Sequence, residues 1–162
     1  MIHNDVLRSL RYILDAGESA LVDLVKLADP AFELRADDVV AFLKKEDEEG
    51  YQLCSDAVMA RMLDGIVFSK RGKEDSRPQR PFERTVSNNL VLKKLRVAFE
   101  LKEGDLHAIL KAAEFPVSKP ELSALFRSPD QKNYRTCGDQ LLRNFLKGLA
   151  LRQRGERTGP QT

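Results

Sequence analysis

Cys54 and Cys137 are the side chains in this sequence whose type and placement are best suited to chemistry. Each lies two residues before an aspartate, Asp56 or Asp139, at the expected start of a helix. The N-terminus of a helix favours negative charge, so a thiol at such a position can ionise and act as a nucleophile. The adjacent carboxylate opposes that ionisation by repulsion. The pattern therefore favours buried structural thiols over a thiol-based enzyme that uses Cys54 or Cys137.

The two cysteines occupy equivalent positions in two copies of one segment, residues 51–72 and 134–155. Seven of the 22 positions are identical, where about one is expected from average composition. The identical pairs are Tyr51/Tyr134, Cys54/Cys137, Asp56/Asp139, Leu63/Leu146, Gly65/Gly148, Arg71/Arg154 and Gly72/Gly155. The likeness extends to the first residues of each copy, so the chain consists of two tandem repeats.

Neither repeat supplies the groups that catalysis or metal binding needs. A cysteine nucleophile needs a base, yet the two histidines, His3 and His107, are replaced in the other repeat by Asn88 and Val22. One cysteine and one aspartate per repeat fall short of the four ligands of a zinc site. The sequence also lacks a glycine-rich phosphate loop, and it predicts no enzyme, no cofactor and no metal.

Apolar residues recur in each repeat at the three- and four-residue spacing of one helical face. In repeat 1, helices are expected over residues 5–15, 19–28 and 36–45, with a fourth in the segment described above. Asn4 is expected to cap the first helix and Ser55 the fourth. Gly72 and Gly155 are expected to end the fourth helices. The predicted fold is all-α, with two pseudo-symmetric tandem repeats of about four helices each.

A glycine in the middle of each fourth helix, Gly65 or Gly148, costs about 1 kcal/mol relative to alanine. Because this cost occurs in both repeats, we expect a close helix crossing there. A repeat of about 70 residues buries little apolar surface alone, so we expect the repeats to pack into one body. The boundaries predicted are repeat 1 at 1–72, a polar linker at 73–86, repeat 2 at 87–155 and a disordered tail at 156–162.

The two repeats carry opposite net charge. Residues 1–72 contain 9 Lys and Arg against 14 Asp and Glu, whereas residues 87–162 contain 14 against 8. The basic residues singled out for contact with a partner are Lys93, Lys94, Arg96, Arg135, Arg143, Lys147 and Arg154. Arg143, Lys147 and Arg154 share one helical face. Such a face can follow a phosphate backbone, or it can bind acidic repeat 1 in the same molecule or in a second copy.

The repeated residues resemble the YehS-like family of bacterial proteins, which consist of tandem copies of a domain of unknown function. The motifs that carry the resemblance are Asn-x-Val-Leu-(Arg/Lys)-x-Leu-Arg at Asn4 and Asn89, and Tyr-x-x-Cys-x-Asp at Tyr51 and Tyr134. The resemblance covers nearly the whole chain and implies an all-helical bacterial protein. It implies no activity, so it brings no functional residues.

A non-catalytic protein-binding or regulatory module is the function that the sequence favours. The expected partner is another protein, or a second copy through the oppositely charged halves. Sequence-tolerant nucleic-acid binding is the alternative; it would rely on phosphate contacts, because Trp is absent and aromatic residues make up 7% of the chain. No run approaches the 18 or so apolar residues of a membrane span, and two cysteines make no disulfide framework. We therefore expect a cytoplasmic protein without membrane contact.

Overall fold

The computed structural model describes residues 1–73 and 80–158, the last three of them as backbone only. This part of the chain forms eight helices and no strand, four helices in each repeat, so the predicted all-α tandem architecture is confirmed. The helices are α1 (His3–Leu14), α2 (Glu18–Ala28), α3 (Ala36–Leu43), α4 (Asp56–Arg71), α5 (Asn88–Ala98), α6 (Glu103–Ala112), α7 (Lys119–Leu125) and α8 (Asp139–Thr158).

The fourth helices of the two repeats end differently. Ser55 caps the start of α4 as expected, and its Oγ accepts a hydrogen bond from the Val58 amide at 3.2 Å. Gly72 ends α4 with φ +89°, as predicted. Gly155 does not end α8, which continues to Thr158, and the extent of the disordered tail stays a prediction. A glycine weakens a helix without stopping it unless it takes a positive φ, and Gly155 has none. Residues 159–162 lie outside the described residues.

Asn4 lies inside α1, so the prediction that it caps this helix is wrong. Its side chain is fully buried. The amide nitrogen donates to the carbonyl oxygens of Phe42 at 3.0 Å and Gln52 at 2.8 Å, and the amide oxygen accepts from the Cys54 amide at 2.9 Å. A side chain used as a cap would leave these backbone groups unpaired. We call this set of three hydrogen bonds the asparagine clamp.

Repeat 2 builds the same clamp from equivalent residues. Asn89 donates to the carbonyl oxygens of Leu125 at 3.0 Å and Arg135 at 2.9 Å, and it accepts from the Cys137 amide at 2.8 Å. In each repeat the clamp joins the first helix to the end of the third helix and to the segment that leads into the fourth. One buried amide thus fixes three elements.

The close helix crossing predicted from the two glycines is confirmed. A Cβ added at Gly65 would lie 1.9 Å from the carbonyl oxygen of Leu24 in α2, and one at Gly148 would lie 2.1 Å from that of Ile109 in α6. Both distances are far shorter than a van der Waals contact. The second and fourth helices of each repeat therefore touch backbone to backbone.

The repeats interlock through an exchange of contacts. The first helix of each repeat packs against the fourth helix of the other, α1 on α8 and α5 on α4. Buried apolar residues from both repeats belong to one continuous core. Each repeat therefore completes its core with a helix of the other, as expected for one body.

The described part of the linker packs on repeat 1. The Arg61 guanidinium lies between the rings of Phe32 and Phe82, at 4.4 and 4.3 Å from their centroids, and it pairs with Asp29 at 2.8 Å. Lys73 donates to the carbonyl oxygen of Leu27 at 2.9 Å. Residues 74–79 lie outside the described residues, and the boundaries of the linker stay a prediction.

Replacing Gly148 with alanine should destabilise the protein by roughly 1–3 kcal/mol or more, because the added methyl group has to push α6 away from α8. Urea denaturation measures this change in the free energy of unfolding. Gly104→Ala in α6 is the matched control, since no atom lies within 4 Å of its added Cβ. The control should be neutral or stabilising by up to about 1 kcal/mol. Equal stability of the Gly148 variant and the wild type would contradict the close crossing.

Replacing Asn4 with alanine should cost about 2–5 kcal/mol, because it leaves buried backbone donors and acceptors without partners. Asn144→Ala is the control, since this partly exposed side chain makes one hydrogen bond to the described residues, to the carbonyl oxygen of Gln140. Its stability should stay within about 1 kcal/mol of the wild type. The same denaturation experiment compares the two, and similar losses at both positions would refute the role of the clamp.

Candidate interaction surface

Both cysteines are buried and stay protonated near neutral pH. Burial raises the pKa of Cys54 to about 12 and that of Cys137 to about 11, and the nearby carboxylates of Asp56 and Asp139 add to the rise. Neither thiol has a basic partner; the sulfur of Cys54 lies 3.8 Å from the carbonyl oxygen of the next residue, and that of Cys137 lies 3.6 Å. Their geometry is that of structural thiols, and it gives a nucleophilic cysteine no support.

The aspartate that follows each cysteine receives a hydrogen bond from the other repeat or from the linker. Asp56 lies 2.7 Å from Nε2 of His3 and accepts from the Val86 amide at 3.0 Å, and these contacts hold the pKa of its carboxyl below the usual value. Asp139 pairs with the amino group of Met1, which is the main cause of its lowered pKa. Met1 and Val86 occupy equivalent positions, so the two repeats exchange the same contact.

His3 and Asn88 are equivalent residues with one shared task. Asn88 donates to Asp139 at 2.8 Å, as His3 contacts Asp56 in repeat 1. The sequence analysis treated His3 as an isolated histidine and did not predict this contact. The available signal was that Asp56 and Asp139 are equivalent residues of the two repeats. His3 therefore has a structural role, since it contacts Asp56.

Tyr51 and Tyr134 begin the segments that lead into the fourth helices. Their amides close turns onto the carbonyl oxygens three residues earlier, at 3.2 and 3.3 Å. The preceding residues, Gly50 and Asn133, both have positive φ angles. The repeated tyrosines thus mark a shared turn, and with the cysteines, aspartates and mid-helix glycines they form a structural signature.

The seven basic residues singled out from the sequence do not form one face. Lys94 pairs across the repeats with Asp64 at 2.6 Å, and Arg135 pairs with Glu121 at 2.6 Å. Arg96 donates to a backbone carbonyl at 3.1 Å and lies over an aromatic ring. These three side chains are already engaged within the molecule, which reduces the charge available to a partner.

Two of the remaining residues, Arg143 and Lys147, are exposed on the side of α8 that borders α1. Neither forms a direct ion pair with a described residue, although the charge of Arg143 contributes to the lowered pKa of the Asp139 carboxyl. Arg154 lies further along the same helix, with its guanidinium 3.7 Å from the ring centroid of Tyr12. Lys93 is exposed on α5. The structure thus keeps a smaller basic surface than the sequence predicted.

Apolar side chains lie beside these cations. Tyr12 of α1 and Leu151 of α8 are each 49% exposed, although both are large. They line one groove together with Arg143 and Lys147. We call these four residues the α1/α8 surface. Sequence reasoning missed Tyr12, because only the packing of repeat 1 on repeat 2 brings it to the basic face.

The equivalent surface between α4 and α5 provides an internal comparison. There, Lys94 of α5 faces Asp64 of α4 and the two form an ion pair. At the α1/α8 surface the equivalent residues are Ser9 and Lys147. Lys147 thus stands where repeat 1 has the acidic Asp64, and the uncharged Ser9 stands where repeat 2 has Lys94. An ion pair joins α4 to α5, whereas between α1 and α8 the cation of Lys147 is exposed to solvent.

These features define a class: an all-helical protein of two interlocked tandem repeats, each held by an asparagine clamp. The model of the family described as "Protein of unknown function (DUF1456)" matches residues 3–72 and 88–155, so the chain belongs to this family.

A particular relative is also found. The uncharacterized protein YehS of Escherichia coli (strain K12) is 51% identical over 153 residues, which cover 94% of this chain and 97% of that protein. The resemblance to the YehS-like family is thereby confirmed. No solved structure matches the chain.

Within the described ranges, 1–73 and 80–158, no helix is long and apolar enough to cross a bilayer. The same residues hold no cluster of three or more His, Cys, Asp or Glu side chains that could bind a metal ion.

Cys54 and Cys137 should react with a maleimide at least about 100-fold more slowly in the folded protein than in denaturant at pH 7.5, because burial and the raised pKa values remove the thiolate. Mass spectrometry follows the labelling of each site. Ser19→Cys, at an exposed position of α2, is the control and should react fully in the folded state. Rapid native labelling of either natural cysteine would revive the thiol-enzyme hypothesis.

Proposed function

We propose that this chain is a non-catalytic protein-binding or regulatory module of the cytoplasm, and that the α1/α8 surface is its contact site. The observation that carries the proposal is the pair of unpaired cations, Arg143 and Lys147, beside the exposed Tyr12 and Leu151. Tyrosine and arginine are enriched in protein interfaces, where an apolar centre supplies affinity and charges select the partner. The partner expected is an acidic protein surface.

Several features weigh against an enzyme. The thiols are buried with raised pKa values, and the two aspartates of the signature are occupied by contacts between structural elements. A catalytic group has to be free to meet a substrate and to change its protonation state near the working pH. The chemistry-bearing residues of this chain serve packing instead, which supports a binding function.

Nucleic-acid binding is the second candidate, because Tyr12 lies beside Arg143 and Lys147. An aromatic ring between cations is a feature of surfaces that bind single strands. However, Arg154 lies over this ring, and three of the seven predicted basic residues are engaged elsewhere. Binding would then depend on phosphate contacts, weaken steeply with salt and show little sequence preference.

Charge reversal at the α1/α8 surface should abolish partner binding. The immobilised wild type should retain specific proteins from an Escherichia coli lysate at about 50 mM salt, and retention should fall at about 500 mM as screening shortens the Debye length. The Arg143→Glu/Lys147→Glu variant should lose them at both salt concentrations. The control Lys111→Glu/Lys119→Glu makes the same change in net charge at exposed positions elsewhere in repeat 2 and should behave as the wild type.

Electrophoretic mobility of labelled RNA and duplex DNA separates the two candidates. A mobility shift at micromolar protein that the Arg143→Glu/Lys147→Glu variant loses would favour nucleic acid, above all if the lysate yields no specific protein. Equal retention of the same proteins by both charge-reversed variants would rule out the α1/α8 surface as the contact site.

A further inference from the structure

We propose that the occupant of the α1/α8 surface is the acidic loop of a second copy of this chain, in a two-fold symmetric dimer. We call residues 46–49, which follow α3, the acidic loop. This inference rests on the proposed function, since it uses the same surface, and it names the partner. Charge complementarity, the position of the loop and the symmetry of such a contact carry it.

The acidic loop consists of four consecutive carboxylates, Glu46, Asp47, Glu48 and Glu49, and all four residues are exposed. The backbone fixes its shape, because the Lys45 amide donates to the Glu48 carboxylate at 3.0 Å and the Lys44 ammonium donates to the Glu49 carbonyl oxygen at 2.8 Å. None of the carboxylates forms an ion pair with a described residue. The loop is thus an ordered patch of net negative charge, with Lys44 and Lys45 directly before it.

The equivalent segment of repeat 2 lacks this character. Residues 129–132 read Pro-Asp-Gln-Lys and carry no net charge. The asymmetry therefore concerns both patches: repeat 1 alone has the acidic loop, and repeat 2 alone has the unpaired cations of α8. The two differences are complementary in sign, as two surfaces that bind each other require.

Arg8 places the two patches side by side. Its guanidinium donates to the carbonyl oxygen of Leu43 at 3.3 Å and to that of Lys44, directly before the acidic loop. The same side chain lines the groove that contains Arg143 and Lys147. The acidic loop therefore begins close to a residue that also lines the groove of the α1/α8 surface.

Adjacent patches of opposite sign suit a two-fold contact. A two-fold axis between them brings the acidic loop of each copy onto the cations of the other, so both ion-pair sets form at once and the assembly closes at two copies. Tyr12 and Leu151 would then supply the apolar centre. Ion pairs at a protein surface are weak and screened by salt, so we expect a dimer that forms at high micromolar concentration and dissociates in salt.

Sedimentation equilibrium of the full chain tests the dimer. At about 50 mM salt and about 200 µM protein, the average mass should approach that of two copies. It should return to that of one copy at about 500 mM salt, where the Debye length falls from about 14 to about 4 Å. Arg143→Glu/Lys147→Glu and Glu46→Lys/Asp47→Lys/Glu49→Lys should each be monomeric, because every contact then joins like charges. All five positions are exposed, and circular dichroism checks that the variants fold.

An equimolar mixture of the two monomeric variants gives the decisive result. In the mixed pair, each reversed surface meets a patch of opposite sign, so the mixture should regain at least about half of the wild-type dimer under the same conditions. The Lys111→Glu/Lys119→Glu control should dimerise alone and should not rescue either variant.

A wild type that stays monomeric at low salt, a mixture that stays monomeric, or a mass that grows beyond two copies would each overturn the dimer. The proposed function is tested separately. If the wild type is monomeric and the Arg143→Glu/Lys147→Glu variant still loses its lysate proteins, the second copy is the wrong occupant while the binding surface stands.

Discussion

The asparagine clamp is the interaction on which the rest of this structure depends. A single buried amide satisfies two carbonyl groups and one backbone amide, and so it fixes the first helix of a repeat against the end of the third and the entry to the fourth. Unpaired, each of these buried groups would cost about 1–3 kcal/mol. The apolar faces of α1 and α5 pack on the fourth helix of the other repeat. Each clamp therefore ties the helix that crosses between the repeats to the third helix and the fourth-helix entry of its own repeat.

That exchange explains why a symmetric scaffold tolerates opposite charges in its two halves. The contacts common to both repeats are the clamps, the glycine crossings and the reciprocal aspartate contacts. Charge differences lie at the edges of the helix pairs and in the loop after the third helix. In repeat 2, Asp105 and Arg152 form an ion pair across α6 and α8 at 2.8 Å. Their equivalents in repeat 1, Ala20 and Ser69, leave an apolar groove between α2 and α4. The core thus fixes the fold while the edges diverge.

Local pattern was sufficient to predict most of the fold and little of the candidate site. Helical periodicity, the internal repeat and the paired glycines predicted the helices to within two residues at most ends, together with the crossings. The role of Asn4 could not be predicted, because its carbonyl partners lie 38 and 48 residues away. An asparagine before an apolar run is also typical of a cap. The basic face was overestimated for the same reason. Whether Lys94 meets water or Asp64 depends on how α5 packs against α4, and charge counts do not contain that information.

The position of the α1/α8 surface follows from comparing the repeats with each other. Residues that both repeats share serve the fold, because the same contact is built twice. Residues that differ at equivalent positions, where the first helix of one repeat meets the fourth helix of the other, are not required for the shared fold. At the α4/α5 seam the pair Lys94 and Asp64 neutralises itself, so that seam offers a partner little charge. At the α1/α8 seam Lys147 faces Ser9, and an exposed tyrosine and leucine lie beside it. Exposed apolar area is unfavourable for an isolated molecule, whereas a hydrated cation is not. A partner that covers Tyr12 and Leu151 would remove the apolar cost, and Lys147 would favour a partner of negative charge, which is why the proposed contact lies where the symmetry of the fold is broken.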